Sequence, residues 1–312
     1  VTDVLLTDQG PARRFRPPAT DPPLVDAPLL TGGQAADPPS AQHGFSSLIT
    51  AQRGGRTLRV LFDTGATPDG CVDNLRRLGI DPASIDVVVL SHGHYDHVTG
   101  LSGLAPILGP RHTPVVVHPD GLRSRRFRVG QHERRLAHLD AEAVTAAGFE
   151  LHTPTGPTLL GDPDGPQVLL TGPVERLTDF EPGLPGQEAL VDGTWQPDAE
   201  MHDDQALLAR VADRGLAVLT GCGHAGVVNI AHWARALTGE DRIHALLGGF
   251  HLGGPGFADA IDPTVLALSV LEPEVVVPTH CTGWRAAGAI AEALPEAFIA
   301  NSVGTTYHLT GP

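Results

Sequence analysis

Three histidines and an aspartate fall within six residues at His92-Gly93-His94-Tyr95-Asp96-His97. Imidazole and carboxylate together suit Zn, Mn or Fe(II), and donors at this density point to a site for two ions. The alternative is a solvated His-rich loop, but the cluster directly follows a strand-like apolar run, which argues for ligands. Three later apolar runs also end in a histidine: Ala217-Val218-Leu219 before His224, Ala245-Leu246-Leu247 before His251, and Val275-Val276-Val277 before His280. Each is flanked by Gly or Pro, and glycine lets backbone approach a ligand closely. One histidine at a strand end is commonly structural. Repetition of the arrangement shifts the reading of His224 and His280 towards metal ligands. His251 reads either as a ligand or as an acid/base or hydrogen-bonding group for substrate.

The elements that must aim these groups are legible around them. Ile85–Leu90 is short, β-branched and bounded by polar residues, as a buried strand is. In extended backbone, His92 and His94 fall on one side, while Asp96 and His97 come a turn later. Ser46–Thr50 and Thr57–Phe62 read as strands around a Gly54-Gly55 turn, and Val115–His118 as another. Further strands are expected at Phe149–His152, Val168–Thr171, Ala206–Val211, Leu216–Leu219, Ile243–Leu247 and Glu274–Val277. Helices are expected at Asp73–Leu78, Leu101–Leu108, Val227–Leu237 and Arg285–Ala293. Another, Pro263–Leu271, has Asp262 as its N-cap. Strands come in two blocks, each ending with helices, which suggests two sheets packed face to face with helices outside. Residues 119–200 are rich in Pro/Gly loops, and long loops inside a domain usually carry function. They read as an inserted cover over the active site or, alternatively, as a variable surface insertion. Residues 1–41, rich in Pro, Asp and Ala, read as a poorly ordered or variable lead-in to a single domain at 42–312.

Composition bounds the partners. The chain has 312 residues, a net charge of −15, and 21 basic residues, all arginine. A nucleic-acid binder needs a basic surface, so no nucleic acid is expected. No run approaches the ~20 apolar residues of a membrane span, and Val1–Pro39 shows no basic-then-apolar signal pattern. No membrane partner and a cytoplasmic location are therefore expected, and assembly into a homo-oligomer is left open. Three separated cysteines imply no disulfide framework. Cys71 reads as a small buried residue, whereas Cys222 and Cys281 each sit beside a histidine of interest.

The segment Ser91–Gly100 resembles the H-x-H-x-D-H signature of the metallo-β-lactamase superfamily. The segments His43-Gly44-Phe45-Ser46, Thr171–Arg176, Asp203–Leu207, Thr220–Asn229 and Pro278–Gly283 narrow the likeness. They are similar to a subgroup labelled 7,8-dihydropterin-6-methyl-4-(β-D-ribofuranosyl)aminobenzene-5′-phosphate synthase-like, or dihydropteroate-synthase-like, metallo-hydrolases. The resemblance runs from His43 to Leu309. It implies an α/β fold, a four-layer αββα sandwich, with a two-metal site along the edge between the sheets. His92, His94 and a third histidine, assigned as His224, would hold the first ion, and Asp96, His97 and His280 the second. Asp63 would orient the metal loop from behind. Members commonly place a bridging aspartate after a Thr-Gly, whereas here Thr220-Gly221 is followed by Cys222. Either Cys222 bridges as thiolate or His224 replaces it. In the latter case His202, Asp203 or Asp204 takes the earlier ligand position.

Two divalent ions, expected to be Zn with Mn or Fe as alternatives, can share a hydroxide that is nucleophilic at neutral pH. The expected activity is hydrolysis of an ester, lactone, amide or phosphoester of an anionic small molecule. Asp96 would bind metal and orient the nucleophile, and His251 would protonate the leaving group. The run Arg123, Arg125, Arg126, Arg128, Arg134 and Arg135 motivates the anionic substrate, because arginine forks bind carboxylate and phosphate. Arg126, Arg128 and Thr282 are the expected substrate contacts, against the alternative of a solvated, ion-paired face. Two rivals stand beside this reading: a pterin-related synthase on the same metal site, and a non-catalytic binding protein.

Overall fold

The two glycines at 54 and 55 both take positive φ, the geometry a two-residue hairpin requires. They join β1 (Ser47–Arg53) to β2 (Arg56–Phe62). Beside β2 lie β3 (Val87–Val89) and β4 (Pro114–Val116), both parallel to it, and β5 (Glu150–His152) closes the edge. This five-stranded sheet has the order β5-β4-β3-β2-β1. The second sheet has six strands in sequence order. They are β6 (Thr158–Gly161), β7 (Gln167–Leu170), β8 (Leu207–Val211), β9 (Gly215–Thr220), β10 (Ile243–Gly249) and β11 (Val275–Thr279). Its last three strands are parallel. The computed structural model describes residues 15–16 and 23–310.

Strand periodicity assigns the layers. Val60, Phe62, Val87 and Val89 turn inward against Val168, Leu170 and Leu207 of the second sheet. The alternate residues Leu61, Val88 and Leu90 turn outward. There they pack on helices α1 (Gly70–Arg77), α2 (Tyr95–Val98), α3 (Leu101–Leu108) and α4 (Ala141–Ala146). Outward residues of the second sheet, such as Val218, Leu246 and Val276, pack on α5 (Val227–Thr238), α6 (Ala258–Leu271) and α7 (Trp284–Ala293). Each such Val or Leu contributes about 1.5–3 kcal/mol on burial. The result is the four-layer αββα sandwich that the resemblance implied.

Several boundaries differ from expectation. The helix expected at Pro263 begins at Ala258, after the turn Pro255–Phe257. Pro263 is thus interior and Asp262 is no N-cap. The carbonyl of Asp259 loses its amide partner, but it belongs to an exposed residue that water reaches. Residues 119–200, expected as one inserted cover, divide among three sheets: β5 joins the first, and β6 and β7 join the second. Arg125–Val129 with His132–Arg135, and Gln187–Val191 with Thr194–Pro197, form a separate four-stranded antiparallel sheet. Within the expected lead-in, Leu24–Asp26 pairs with Gln34–Ala36 and Phe15–Arg16 with Thr306–Tyr307. Residues 1–14 and 17–22 lie outside the described residues. Among the described residues, no helix is long and apolar enough to cross a membrane.

Candidate metal centre

Every donor group sits where a strand of one of the two main sheets ends. β3 runs into Ser91–His94, and the single turn α2 then presents Asp96 and His97. β9 leads to Cys222 and His224, β10 to His251, and β11 to His280. Glycines permit the crowding: a Cβ at Gly93 would strike the carbonyl of Gly121, and one at Gly221 would strike Ser91 Oγ. Asp63, His251 and His280 carry positive φ, strain that β-carbon residues hold where surrounding structure over-determines them.

Among the described residues, three groups able to hold a metal ion result, each with donor atoms within 4.8 Å of one another. They are His92, His94 and His224; Asp96, His97, Cys222 and His280; and Cys222, His224 and His251. Cys222 is thus common to two of them, and its Sγ lies 3.1 Å from His97 Nε2.

Hydrogen bonds behind the rings fix which nitrogens are free. Asp63, fully buried, accepts from Ser91 N, Ser91 Oγ and His97 Nδ1, each at 2.7 Å. The Ser91 hydroxyl has one proton and gives it to Asp63, so Oγ accepts from His92 Nδ1 at 2.8 Å. Gln187 donates its amide to Asp198, so Gln187 Oε1 accepts from His94 Nε2 at 2.7 Å. The lone pairs of His92 Nε2 and His94 Nδ1 therefore point inward, and His97 turns its Nε2 the same way. His92 Nε2 and His94 Nδ1 face each other at 3.0 Å, and His97 Nε2 faces His280 Nε2 at 3.2 Å. Both ring nitrogens of His224 are buried without a hydrogen-bond partner. An unsatisfied buried polar atom costs about 1–3 kcal/mol, and facing lone pairs repel. A cation removes both penalties, so this donor set fits metal ions.

Electrostatics agree. Burial, with neighbouring positive rings, pushes His92 and His224 well below the ordinary histidine range. Burial and Arg125 bring His94 down to about 4. These three are neutral at pH 7, the form that binds metal. His97 is different: burial opposes its charge, but Asp63 overrides it and holds the ring protonated up to about 9 in the metal-free protein. Burial works against ionisation of Asp96 as well, yet the rings of His280 and His97 keep it well below the usual carboxylate range.

Other expected residues serve different ends. Asp203, expected as a bridging group or as a support behind the ligands, accepts from Gly93 N at 2.9 Å and from the forked guanidinium of Arg125. Arg125, almost fully buried, also donates to Asp198 at 2.7 Å. His202 is exposed beside Glu200 and reaches no donor group. Asp204 is buried, with Oδ2 on Ala225 N and Oδ1 unpartnered at 3.9 Å from His92 Nδ1. The expected substrate contacts need correction. Arg126 is held by Glu133 and Glu188 and stacks on Trp195. Arg128 is exposed and lies 3.9 Å from Glu188. Thr282 is buried, bonding Thr279 O and Phe250 N. Arg126 and Thr282 are thus engaged in holding structure. His251 packs its ring on His224, at 4.2 Å between centroids, and on Phe257. His43, 70% exposed in its side chain, stands 3.7 Å from Asp96.

Sequence reasoning missed four supports. Ser91 relays Asp63 to His92, and Gln187 pins His94. Arg176 holds the carbonyl of His224 at 3.0 Å, and Glu181 accepts from Val228 N and Asn229 N at the start of α5. Only Ser91, adjacent to the histidines, lay near a signal that would have found it.

With the geometry in hand, known proteins fall into place beside it. A β-lactamase superfamily domain model matches residues 58–161. The chain is 28% identical over 274 residues to the 7,8-dihydropterin-6-methyl-4-(β-D-ribofuranosyl)-aminobenzene-5′-phosphate synthase of Methanocaldococcus jannaschii, covering 83% of this chain and 87% of that protein. It is 30% identical over 252 residues to MJ0448, an uncharacterized protein of the same organism, covering 79% and 86%. Among solved structures it is similar to Tm1679, a metal-dependent hydrolase of the β-lactamase superfamily. The identity is 31%, the TM-score 0.64, and the coverage 81% of this chain and 87% of that one.

Proposed function

We propose that this chain, which belongs to the metallo-β-lactamase superfamily, is a metal-dependent hydrolase with two cation positions at the strand ends. The observation that carries the reading is the inward-facing, proton-free pair His92 Nε2 and His94 Nδ1, with the unpartnered ring of His224 beside it. His92, His94 and His224 would hold one ion, and Asp96, His97 and His280 the other, with the Cys222 sulfur a further donor beside His97 and His224. Divalent cations bound there supply Lewis acidity and lower the proton affinity of water at neutral pH. The imidazole and sulfur donors suit Zn, with Fe next, better than Mn.

The chain's own groups do the rest. Asp63, through His97 directly and His92 by way of Ser91, keeps Nε2 of both rings turned inward. Asp96 orients the nucleophile. His251, whose Nδ1 has no partner, gives the leaving group its proton from that atom. The separate four-stranded sheet covers the site within a single domain at 42–312, and Gln187 on that sheet fixes His94. The substrate is an ester, lactone, amide or phosphoester. Arg125 and Arg126, two of the arginines that suggested an anionic one, are held by carboxylates of the protein itself, so its charge does not follow from them. A pterin-related synthase activity is the second reading, supported by the 28% identity to a protein of that name over most of both chains.

Elemental analysis of protein purified without added metal tests the reading, on wild type, His94→Ala and His280→Ala. About two equivalents, reduced in each variant, with turnover of nitrophenyl esters or phosphodiesters that chelator abolishes, is the expected result. Less than about half an equivalent, unchanged by either substitution and by reconstitution, would refute it. Two equivalents without hydrolysis of any of these would favour the synthase reading.

A further inference from the structure

Cys222 and Cys281 lie 59 residues apart, at the ends of β9 and β11, with β10 between them. Gly249, at the end of β10, lets them meet. A Cβ there would come 2.7 Å from Cys281 Sγ and 3.0 Å from Cys222 Cα. The Cys281 thiol reaches across to Cys222, its Sγ donating to the Cys222 carbonyl at 3.4 Å. Their exposures differ: Cys222 is buried, while Cys281 is partly open. Cys71 is apart from this arrangement, on α1 beside Ser46.

We propose that Cys222 and Cys281 form an oxidisable pair that closes to a disulfide under hydrogen peroxide and thereby withdraws the Cys222 sulfur from the metal centre. The Cys281 sulfur attacks one peroxide oxygen, the O–O bond breaks, and one water leaves as Cys281 becomes a sulfenic acid. The Cys222 sulfur then attacks that sulfur. The S–S bond forms, the S–O bond breaks, and the hydroxyl departs with the Cys222 thiol proton as a second water. Two electrons pass from the pair to one peroxide. A dithiol reverses the change by two exchange steps and is itself oxidised to a disulfide.

The consequence follows from position. Cys222 Sγ lies 3.1 Å from His97 Nε2 and belongs to two of the three donor groups. The thiolate is the metal ligand, and a disulfide sulfur carries no such charge. The pair thus goes beyond the hydrolytic reading, resting on it only for the loss of metal.

The test exposes metal-loaded and chelator-stripped protein to hydrogen peroxide, then alkylates free thiols and maps peptides by mass. Bound metal is measured alongside. A Cys222–Cys281 linked peptide, two hydrogens lighter than its reduced parts and restored by dithiothreitol, is expected in both forms. The loaded protein is expected to release metal in step with that peptide, and Cys281→Ser to retain its metal under the same treatment. Recovery of both cysteines alkylated, or separately oxidised to sulfinic acids, would overturn the pair. A linked peptide with all metal retained would overturn its effect on the centre. Absence of metal before treatment would count against the hydrolytic reading instead, and the stripped protein would still decide the disulfide.

Discussion

Asp63→Asn exchanges one oxygen for an NH2 group and should disable both metal positions. The new side-chain amide must keep its oxygen against Ser91 N, because an amide nitrogen there would set donor against donor at 2.7 Å. The NH2 group then takes the place of Oδ2, which accepts from His97 Nδ1 and Ser91 Oγ. It donates to both. His97 Nδ1 becomes an acceptor, so the ring proton moves to Nε2, the nitrogen that faces Cys222 and His280. Ser91, now accepting from that NH2 group, turns its hydroxyl proton to His92 Nδ1, and the His92 proton moves to Nε2 as well. One ligand in each donor group thus presents N–H where a lone pair is needed. Loss of such a supporting partner typically costs 10–100-fold in metal affinity, about 1.4–2.7 kcal/mol, and here it applies to both positions. Asparagine is chosen because residue 63 has a φ of 62°, which it tolerates and alanine does not. Competition against a chromophoric chelator measures both affinities, and nitrogen NMR of the metal-free protein reads the His92 tautomer and the loss of the His97 Nδ1 proton. Ser91→Ala is the control: it cuts the relay to His92 only and should weaken one position. Asp63→Asn protein that binds two equivalents with affinities within about threefold of wild type would refute the relay.

Two further outcomes follow from buried charge. Arg125→Met leaves Asp198 and Asp203 buried without their guanidinium and should cost about 3–5 kcal/mol in urea unfolding; a loss below about 1 kcal/mol would show the pair to be solvent-screened. Burial, with Asp203 adjacent, raises Asp204 from 3.8 to about 7. A folded-state pKa above the unfolded one gives stability that is complete below the unfolded value and lost as pH rises to the folded one. Chelator-stripped wild type should therefore lose about 4 kcal/mol relative to Asp204→Asn between about pH 4 and pH 7. Parallel unfolding curves for the two proteins across that range would sink the assignment.

The parts legible in sequence were those with local signals. The strand before His92, the helix Leu101–Leu108 and the three later strand–histidine units each carry their own apolar run and turn. Arg125 with Asp198 and Asp203, by contrast, joins residues 73 and 78 apart, and Gln187 meets His94 across 93. No periodicity marks such partners, because each is chosen by the fold. The arginine strands were misread for a related reason. Arg125–Val129 and His132–Arg135 hold few apolar residues, so they lack the alternation that announces a half-buried strand. Glutamates from the same small sheet neutralise Arg126, which turns an apparent anion site into a brace. Pro263 misled by position: it suits a first turn, and the exposed carbonyl four residues earlier let the helix start sooner.

The four-stranded sheet beside the centre is fixed to the sandwich by Arg125, which spans Asp198 on its own side and Asp203 on the other. Swinging that sheet away would strip a buried guanidinium from its carboxylates. At about 3–5 kcal/mol, fewer than about one molecule in a hundred would be open at any instant. The sheet is therefore a wall and not a lid. Backbone amides of Gln187–Val191 should accordingly exchange with solvent hydrogen about as slowly as those of the sandwich itself, with or without a bound ligand.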